Sequence, residues 1–170
     1  GVHTFRVGLR GDGYYVRDLP RPNRGDIFTG TTGRVVPEAS FEWRMPLVSD
    51  ALGFHQLLEP IVMGVVSPIG GNIDSIPNED SLDLEFDDTN LFSMQRFTGY
   101  DRVETGPRIN YGVHWATFNQ SIGTISAVIG QVYRFHNDRA FTPQSGLRGY
   151  FSDYVGHVDV TPNPYVTMQY

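Results

Sequence analysis

A run of acidic residues followed by regularly spaced arginines is the stretch of this sequence best suited to chemistry. The acidic residues fall close together at Glu79, Asp80, Asp83, Glu85, Asp87 and Asp88. The arginines follow at six-residue steps, at Arg96, Arg102 and Arg108. Clustered carboxylates can bind Ca²⁺, a hard cation that takes several oxygen ligands. We favour a solvated loop whose charge the three arginines neutralise, because the run lacks the spacing of a calcium-binding loop.

The other reactive side chains do not form a recognisable catalytic or metal-binding motif. The sequence has no cysteine, and none of its five histidines has a second histidine at metal-binding spacing. Ser152, Asp153 and His157 are close in sequence, which is weak support for a nucleophilic triad, and no G-x-S-x-G motif is present. We therefore predict that the protein is not an enzyme and uses no cofactor, and leave calcium binding by the acidic run open.

Composition indicates strands rather than helices. The 170 residues include 19 Gly, 9 Tyr and 11 Phe, which suit strands, turns and interfacial belts. All 13 basic residues are Arg, and the net charge of -6 argues against nucleic-acid binding. No apolar run is long enough for a transmembrane helix, but the strands of a membrane β-barrel alternate apolar with polar residues and would show none.

Two long segments alternate between apolar and polar residues and predict strands with one apolar and one hydrated face. Residues 34–48 and 105–118 carry this period-two pattern. The first segment would reach about 45 Å at roughly 3.3 Å per residue, which is ample to span a membrane as a tilted strand. The residues expected to face outward are Val35, Ala39, Phe41, Trp43, Ile109, Tyr111, Val113 and Trp115. Those expected to face a lumen are Arg34, Glu38, Glu42, Arg44, Arg108, Asn110 and His114.

The whole chain is predicted to be all-β, an antiparallel up-and-down meander that forms part of a large transmembrane β-barrel. Gly11-Asp12-Gly13 is a turn signal, and long loops are expected near residues 19–33 and 69–104. Pro60 is expected at a bulge or an edge of its strand. The predicted strands cover residues 2–10, 14–18, 34–48, 55–68, 105–118, 124–135, 141–152, 154–161 and 165–170.

The central run resembles a known family. The segments 76–81, 85–92, 96–102 and 106–108 resemble the C-terminal barrel of the LPS-assembly protein LptD family, formerly called organic solvent tolerance protein. Flanking segments such as Glu42-Trp43-Arg44-Met45-Pro46 and Ser152-Asp153-Tyr154-Val155-Gly156 occur in the matching order. The resemblance is of alphaproteobacterial type and covers most of the chain from about Arg34 onward.

The resemblance implies a function and a location. Members of the family are very large barrels in the Gram-negative outer membrane, carry a periplasmic β-jellyroll and insert lipopolysaccharide into the outer leaflet. They work with a plug lipoprotein, LptE. The implied partners are therefore lipopolysaccharide, an LptE-like lipoprotein and outer-membrane lipid. Residues 1–170 would be a single section of the barrel, without the lateral seam. The family-motif residues, expected to be structural or lumen-facing, are Asn78, Glu79, Asp80, Asp87, Asp88, Asn90, Arg96, Gly99, Asp101, Arg102 and Arg108.

Two alternatives remain open at this point. The first is a self-contained small outer-membrane barrel, porin-like or enzymatic, of about eight strands, the smallest size for such barrels. Strands at the two ends of the chain would then pair with each other. The second is a soluble β-domain that binds a sugar or calcium, which would be a monomer in water without detergent.

Overall fold

The described part of the chain forms eight β-strands, and the prediction of an all-β fold is confirmed. The structure is a computed structural model that describes residues 1–21, 23–51, 53–81, 84–137, 140–142, 144–163 and 165–170. Within these ranges no helix is long and apolar enough to cross a bilayer. The strands are β1 (Val2–Arg21), β2 (Asp26–Arg44), β3 (Leu47–Ala51), β4 (Phe54–Val66), β5 (Arg108–Asn119), β6 (Gly123–Arg134), β7 (Val155–Asn163) and β8 (Val166–Gln169).

All eight strands belong to one antiparallel sheet. Their order is β1-β2-β4-β5-β6-β7-β8, and β3 pairs with β4 beyond the end of β2. The sheet curls into a half-barrel, which is consistent with part of a larger barrel. The predicted antiparallel meander is thus confirmed.

The first hairpin is longer than the sequence suggested. The loop expected near residues 19–33 is wrong, because β1 continues to Arg21 and β2 begins at Asp26. The turn expected at 11–13 is wrong as well, because these residues lie within β1 opposite residues 33–35 of β2. Aromatic and β-branched residues on both sides of the turn between β1 and β2 favour strand. A paired Arg21 and Asp26 close the hairpin, and Gly25 supplies the positive φ of the turn.

Pro60 lies where β4 changes partner. Residues 61–66 of β4 pair with β2, and residues 54–58 pair with β3. The carbonyl of Pro60 accepts the N–H of Met45, in the break between β2 and β3. Because the N–H and C=O of a strand residue point the same way, the missing N–H of Pro60 also faces this break. The expected interruption of the ladder is therefore on one side of β4 only, and pairing with β5 continues through Pro60.

The segment from 141 to 152 is not the strand that its sequence suggested. Its described residues lie over the end of β6, where the N–H of Arg134 donates to the carbonyl of Tyr150 and that of Ser152 donates to Val132. The side chain of Ser152 accepts the N–H of Val132, and the side-chain amide of Gln131 donates to the carbonyl of Ser152. These backbone and side-chain hydrogen bonds satisfy the backbone groups of β6 beyond the point where β7 pairs with it, so no regular strand is needed there.

The two faces of the sheet differ as the alternation predicted. We call outer the face on which Phe5, Leu9 and Val35 are each more than two-thirds exposed. The inner face carries buried polar side chains, among them Arg34, Glu42, Arg108 and Asn110. Trp43 and Trp115 belong to the outer set and are partly exposed, not buried together in a sandwich.

The core of the molecule lies between the inner face and two long connections. Residues 67–107, called here the long loop, join β4 to β5, and residues 135–154 join β6 to β7. Leu91 of the long loop packs with Val132, Phe141 and Leu147, all of them buried, and Phe97 stacks on Phe141 at 5.0 Å between ring centroids. Burying a side chain such as Leu91 contributes about 1.5–3 kcal/mol, so the long loop is held as part of the fold.

Candidate functional site on the inner face

A buried carboxylate on the long loop binds three arginines. Glu104 is fully buried, and its Oε1 atom accepts hydrogen bonds from Arg96 and Arg134 and forms an ion pair with Arg108. The distances are 2.5 Å to Nη1 of Arg96 and 3.2 Å to Nε of Arg108. Arg108 and Arg134 are paired residues of β5 and β6, so their side chains leave the same face of the sheet. We call Glu104, Arg96, Arg108 and Arg134 the arginine cluster.

Backbone carbonyls and an aromatic ring contact other parts of the arginine cluster. Arg96 donates to the carbonyls of Asn90 at 3.1 Å and Leu91 at 2.8 Å, and Arg108 donates to the carbonyl of Met94. The guanidinium of Arg134 lies 4.4 Å from the centroid of Phe141. These contacts stabilise positive charge that a single carboxylate does not balance. They also tie the turn at residues 88–92 to β5 and β6.

The electrostatics of the arginine cluster favour an ionised Glu104. Burial by itself raises the pKa of Glu104, but attraction to Arg108, Arg96 and Arg134 outweighs burial, so the pKa lies below its ordinary value. Burial lowers the pKa of Arg96 to about 10, an effect that attraction to Glu104 opposes. Both groups therefore remain charged at neutral pH. Removing one partner from such a buried pair typically costs about 3–5 kcal/mol.

Asp80 and Asp101, two of the family-motif residues, join distant parts of the long loop. Asp80 accepts the backbone N–H groups of Tyr100 at 2.7 Å and Asp101 at 2.9 Å. Asp101 accepts those of Glu79 at 2.7 Å and Asp80 at 3.2 Å. The N–H groups of Tyr100 and Asp101 lower the pKa of Asp80 to about 2. Gly99 is required beside them, because a Cβ at that position would overlap Asp80.

The acidic residues further along form a capped turn. Asp87 accepts the N–H of Asn90 at 3.1 Å and the hydroxyl of Thr89 at 2.6 Å, as a capping residue does. The side-chain amide of Asn90 donates to the carbonyl of Glu85 at 2.7 Å. Asp88 lies 2.5 Å from Nδ1 of His157, on the inner side of β7. This turn therefore contacts the sheet directly through Asp88, and indirectly through Arg96 and Glu104, which binds Arg108 and Arg134.

The inner side of the β1–β2 hairpin contacts the long loop. Arg34 donates to the carbonyl of Asp101 at 2.9 Å and to that of Tyr100, and its Nε lies 2.7 Å from Asp12. The hydroxyl of Tyr14 also donates to the carbonyl of Tyr100, at 2.7 Å. Residues 39–44 of β2 pair with β4, whereas the described part of β2 before Ala39 does not. The contacts of Arg34 and Tyr14 with the long loop therefore link this part of the hairpin to the rest of the sheet.

The expected neutralisation of the acidic run by the arginines is wrong for Arg96 and Arg108, which bind Glu104 instead. Among the other motif residues, Asn78 donates to the carbonyl of Ser81, and the N–H of Arg102 donates to the Ser81 hydroxyl. Glu79 is exposed and contributes its backbone N–H. Asp83 lies outside the described residues. Within the described ranges, no group of three or more His, Asp or Glu side chains is placed to hold a metal ion.

Sequence reasoning missed Glu104, Arg134 and Asp12. Glu104 follows the acidic run by sixteen residues and lies between two of the regularly spaced arginines. A single acidic residue among arginines was the signal in the sequence that could have identified it as their partner. Arg134 ends a strand on the polar side of its alternation. Asp12 was hidden because its flanking glycines suggested a turn. Pairing between β5 and β6 brings Arg134 to the site, and only the register shows this.

A sheet with an apolar outer face and a polar inner face that carries a folded loop has the organisation of a section of β-barrel wall. Comparison with known proteins identifies the family. The family model LptD, described as LPS transport system D, matches residues 1–170, and the chain belongs to the LptD family.

Individual relatives agree with the family model. The LPS-assembly protein LptD of Coxiella burnetii is 29% identical over 116 residues, which are 66% of this chain and 13% of the relative. That of Idiomarina loihiensis is 28% identical over 126 residues, 74% of this chain and 16% of the relative. That of Francisella tularensis subsp. holarctica is 37% identical over 70 residues, 35% of this chain and 8% of the relative. The chain thus matches a small part of each relative's length, and the alphaproteobacterial type stays a prediction.

Proposed function

We propose that the chain is a section of the outer-membrane translocon that inserts lipopolysaccharide into the outer leaflet. Residues 1–170 would contribute barrel wall and a loop folded into the lumen. Membership of the LptD family supports this role, as does the name LPS-assembly protein LptD carried by the relatives. The proposed location is the Gram-negative outer membrane, and the proposed partners are lipopolysaccharide, outer-membrane lipid and an LptE-like plug lipoprotein.

The observation that carries the proposal is the contrast between the two faces of the sheet. A soluble monomer rarely exposes a wide apolar surface, whereas the outer face exposes Phe5, Val7, Leu9, Val35 and Phe41 side by side across β1 and β2. On β4 the outer-face residues from Leu58 to Val66 are apolar, and this length is about 26 Å at roughly 3.3 Å per residue. With a tilt of about 40° it would cover about 20 Å of membrane, close to the band of a barrel.

Aromatic residues mark the two ends of this band. Tyr133 packs against Phe135 and Phe151 at about 5 Å, close to the long loops. Trp115 lies on the outer face toward the other end of β5 and is partly exposed. Trp and Tyr are enriched at both membrane interfaces, because their side chains combine an apolar ring with a polar group that contacts water.

The lengths of the connections suggest how the section is oriented. The long loop and residues 135–154 leave the sheet at one end, and the short turn between β5 and β6 lies at the other. Outer-membrane barrels have short periplasmic turns and longer extracellular loops. The end with the long connections would therefore face the exterior, and the turn at residues 119–123 would face the periplasm.

The inner face suits a conduit for a glycolipid. Sugars and phosphates need a hydrated, hydrogen-bonding surface, whereas acyl chains need an exit into lipid, and a two-faced barrel wall provides both environments. Toward the periplasmic end the inner face carries accessible charged groups, with Arg6 and Arg44 beside Glu42. Transport of this kind makes and breaks no bond, so the role requires no catalytic residue.

The two alternative functions have less support. Within the described residues β1 and β8 are the two ends of the strand order and do not pair with each other, which a self-contained barrel would require. The exposed apolar outer face is unfavourable for a soluble domain that binds a sugar or calcium.

Depletion of the full-length protein from its own bacterium tests the proposed function. Lipopolysaccharide at the cell surface, measured by antibody labelling of intact cells, is expected to fall while total lipopolysaccharide persists inside. Restoring the protein from a second gene copy should restore labelling. Unchanged labelling after complete depletion would contradict the proposal.

A further inference from the structure

His157 lies between two carboxylates that belong to different parts of the fold. Its side chain leaves the inner face of β7, where its Nδ1 atom is 2.5 Å from Oδ2 of Asp88 in the long loop. Its Nε2 atom, on the other side of the ring, is 3.3 Å from Oδ2 of Asp159, two residues further along β7. The side chain of His157 is 32% exposed, so it exchanges protons with solvent. The imidazole thus joins the capped turn at residues 87–90 to the sheet.

Both ring nitrogens of His157 need a proton for this arrangement. A neutral imidazole has one N–H and one nitrogen with a lone pair, whereas the imidazolium ion donates from both nitrogens. An ionised carboxylate only accepts hydrogen bonds. A neutral ring would therefore turn a lone pair toward Asp88 or toward Asp159, and that contact would become repulsive.

The strands beside β7 present few other titratable groups to His157. Its partner on β6 is Val128, and the next residue on the inner face of β6 is Ser126, so both are uncharged. The residue opposite Val128 on β5 is His114. Its ring contacts Oγ of Ser126 at 3.1 Å and Oε2 of Glu59 at 3.7 Å, so this second histidine has its own partners.

The remaining neighbours of His157 are on β8 and in the capped turn. The residue of β8 opposite Asp159 is the uncharged Gln169. The other carboxylate of the turn, Asp87, accepts hydrogen bonds from within the turn. In the part of the chain that the structure describes, Asp88 and Asp159 are therefore the charged groups that contact the ring of His157.

The capped turn keeps its own structure without His157. Asp87 accepts the N–H of Asn90, and the side-chain amide of Asn90 donates to the carbonyl of Glu85. The next residue, Leu91, is buried in the core. Loss of the contact with His157 therefore frees the corner of the turn at Asp88, while the rest of the long loop stays in place.

We propose that His157 is a pH-sensitive latch for the capped turn. As the imidazolium ion it holds the turn against the inner side of β7, and as the neutral imidazole it releases the corner at Asp88. The latch is closed at acidic pH and opens as the pH rises, so access to the inner side of β7 depends on pH. The inference concerns the folded protein and does not rest on the proposed function.

Amide hydrogen exchange of the full-length protein in detergent tests the inference between about pH 5.5 and pH 9, which brackets the usual charge change of histidine. Rates are corrected for the intrinsic effect of pH on exchange. Protection of residues 87–91 should fall at least about fivefold as the pH rises across this range. His157→Gln should remove this pH dependence, because its side chain carries no titratable group.

Asp159→Asn separates protonation from simple contact. An asparagine amide donates to the lone pair of a neutral ring whose other nitrogen still donates to Asp88. This variant should therefore keep residues 87–91 protected at alkaline pH, where the native protein loses protection.

His55→Gln is the matched control. His55 is exposed, and its Nδ1 atom is 2.5 Å from Asp50 in the β3–β4 hairpin, at the end of β4 opposite the long loop. This variant should keep the fall in protection of the native protein. Thermal unfolding at both ends of the pH range identifies a variant that fails to fold, and the pH profile of the native protein then decides alone.

Equal protection of residues 87–91 across the pH range in the native protein would overturn the inference. A fall in folded Asp159→Asn as large as in the native protein would overturn it as well. Exchange is measured without lipopolysaccharide, so its outcome is independent of the depletion assay for the proposed function.

Discussion

Asp80 and Asp101, two residues of like charge, each accept the other's backbone N–H. The distances are 2.9 Å from the N–H of Asp101 to Asp80 and 3.2 Å from the N–H of Asp80 to Asp101. Neither carboxylate needs a cation for this arrangement, because the N–H groups supply the positive ends of their dipoles. The acidic run is therefore used, at this point, to close the long loop on itself.

Ionisation of Asp80 should contribute to stability in a defined pH range. Its pKa is lowered from 3.8 to about 2 in the folded protein, so its contribution is fully present above pH 4 and is lost as pH falls toward 2. We expect Asp80→Asn to lower the thermal midpoint in detergent above pH 4, with the difference from the native protein shrinking toward pH 2. A difference that is the same at pH 2 and pH 7 would contradict this assignment.

Glu104 should hold the long loop against the sheet. Glu104→Gln leaves three buried guanidiniums without their carboxylate, and we expect the free energy of unfolding to fall by about 3–5 kcal/mol. Because the basic residues are all arginine, trypsin reports on the loop directly. Arg96 is buried, so the native protein should resist cleavage after it, and the variant should be cut there.

Glu79→Gln is the matched control for that experiment. Glu79 lies in the same loop but is exposed, and its backbone N–H donates to Asp101. The substitution should change neither stability nor trypsin resistance. If Glu104→Gln were as resistant as Glu79→Gln, the arginine cluster would not be what holds the loop.

Arg34 should couple the first hairpin to the long loop. It is buried and bonds to the carbonyls of Tyr100 and Asp101 and to Asp12. Hydrogen bonds from a charged group contribute about 1.5–3 kcal/mol, so Arg34→Gln should accelerate amide hydrogen exchange in residues 99–103 by at least about tenfold. Arg17→Gln alters an exposed arginine that lies over Tyr15 and should leave exchange unchanged. Equal exchange in both variants would contradict the coupling.

The alternation of apolar and polar residues predicted most of the sheet, because each strand presents one side to an apolar environment and the other side to a polar one. The alternation in residues 34–48 assigned Val35 and Phe41 to one face and Arg34 and Glu42 to the other, and their burial confirms this. The hairpin tip was missed because Gly11, Gly13 and Gly33 lack a side chain that carries the pattern. The gap between β2 and β3 was also missed, since the alternation runs through Met45 and Pro46 without a visible break.

The site was harder to predict than the fold. Regular spacing indicated Arg96, Arg102 and Arg108 as site residues. Spacing in a loop does not determine where each side chain points, and two of these arginines bind Glu104 rather than the acidic run. The partnership of Asp80 with Asp101 spans twenty-one residues of irregular backbone. Such contacts depend on how the loop folds, which no period in the sequence encodes.

A charge on the outer face should interfere with membrane assembly. Val113 lies on the outer face near the middle of β5, and Val113→Arg should cost about 2–4 kcal/mol near the bilayer centre. Ser126, on the inner face of β6, is a better reference than Asn110, which is fully buried beneath the long loop. The amount of heat-modifiable, membrane-inserted full-length protein should fall for Val113→Arg and not for Ser126→Arg. Equal losses would count against the assignment of faces.

Oxygen accessibility measured by electron paramagnetic resonance tests most directly whether the outer face contacts lipid. Nitroxide labels are placed singly at Val35, Ile129 and Ser126 of the full-length protein, from which any other reactive cysteine has been removed, in lipid bilayers. Labels at Val35 and Ile129 should relax faster with oxygen, which concentrates in hydrocarbon, and the label at Ser126 should respond more to a water-soluble nickel chelate. A stronger response to the nickel chelate at Val35 and Ile129 would contradict the membrane-spanning assignment.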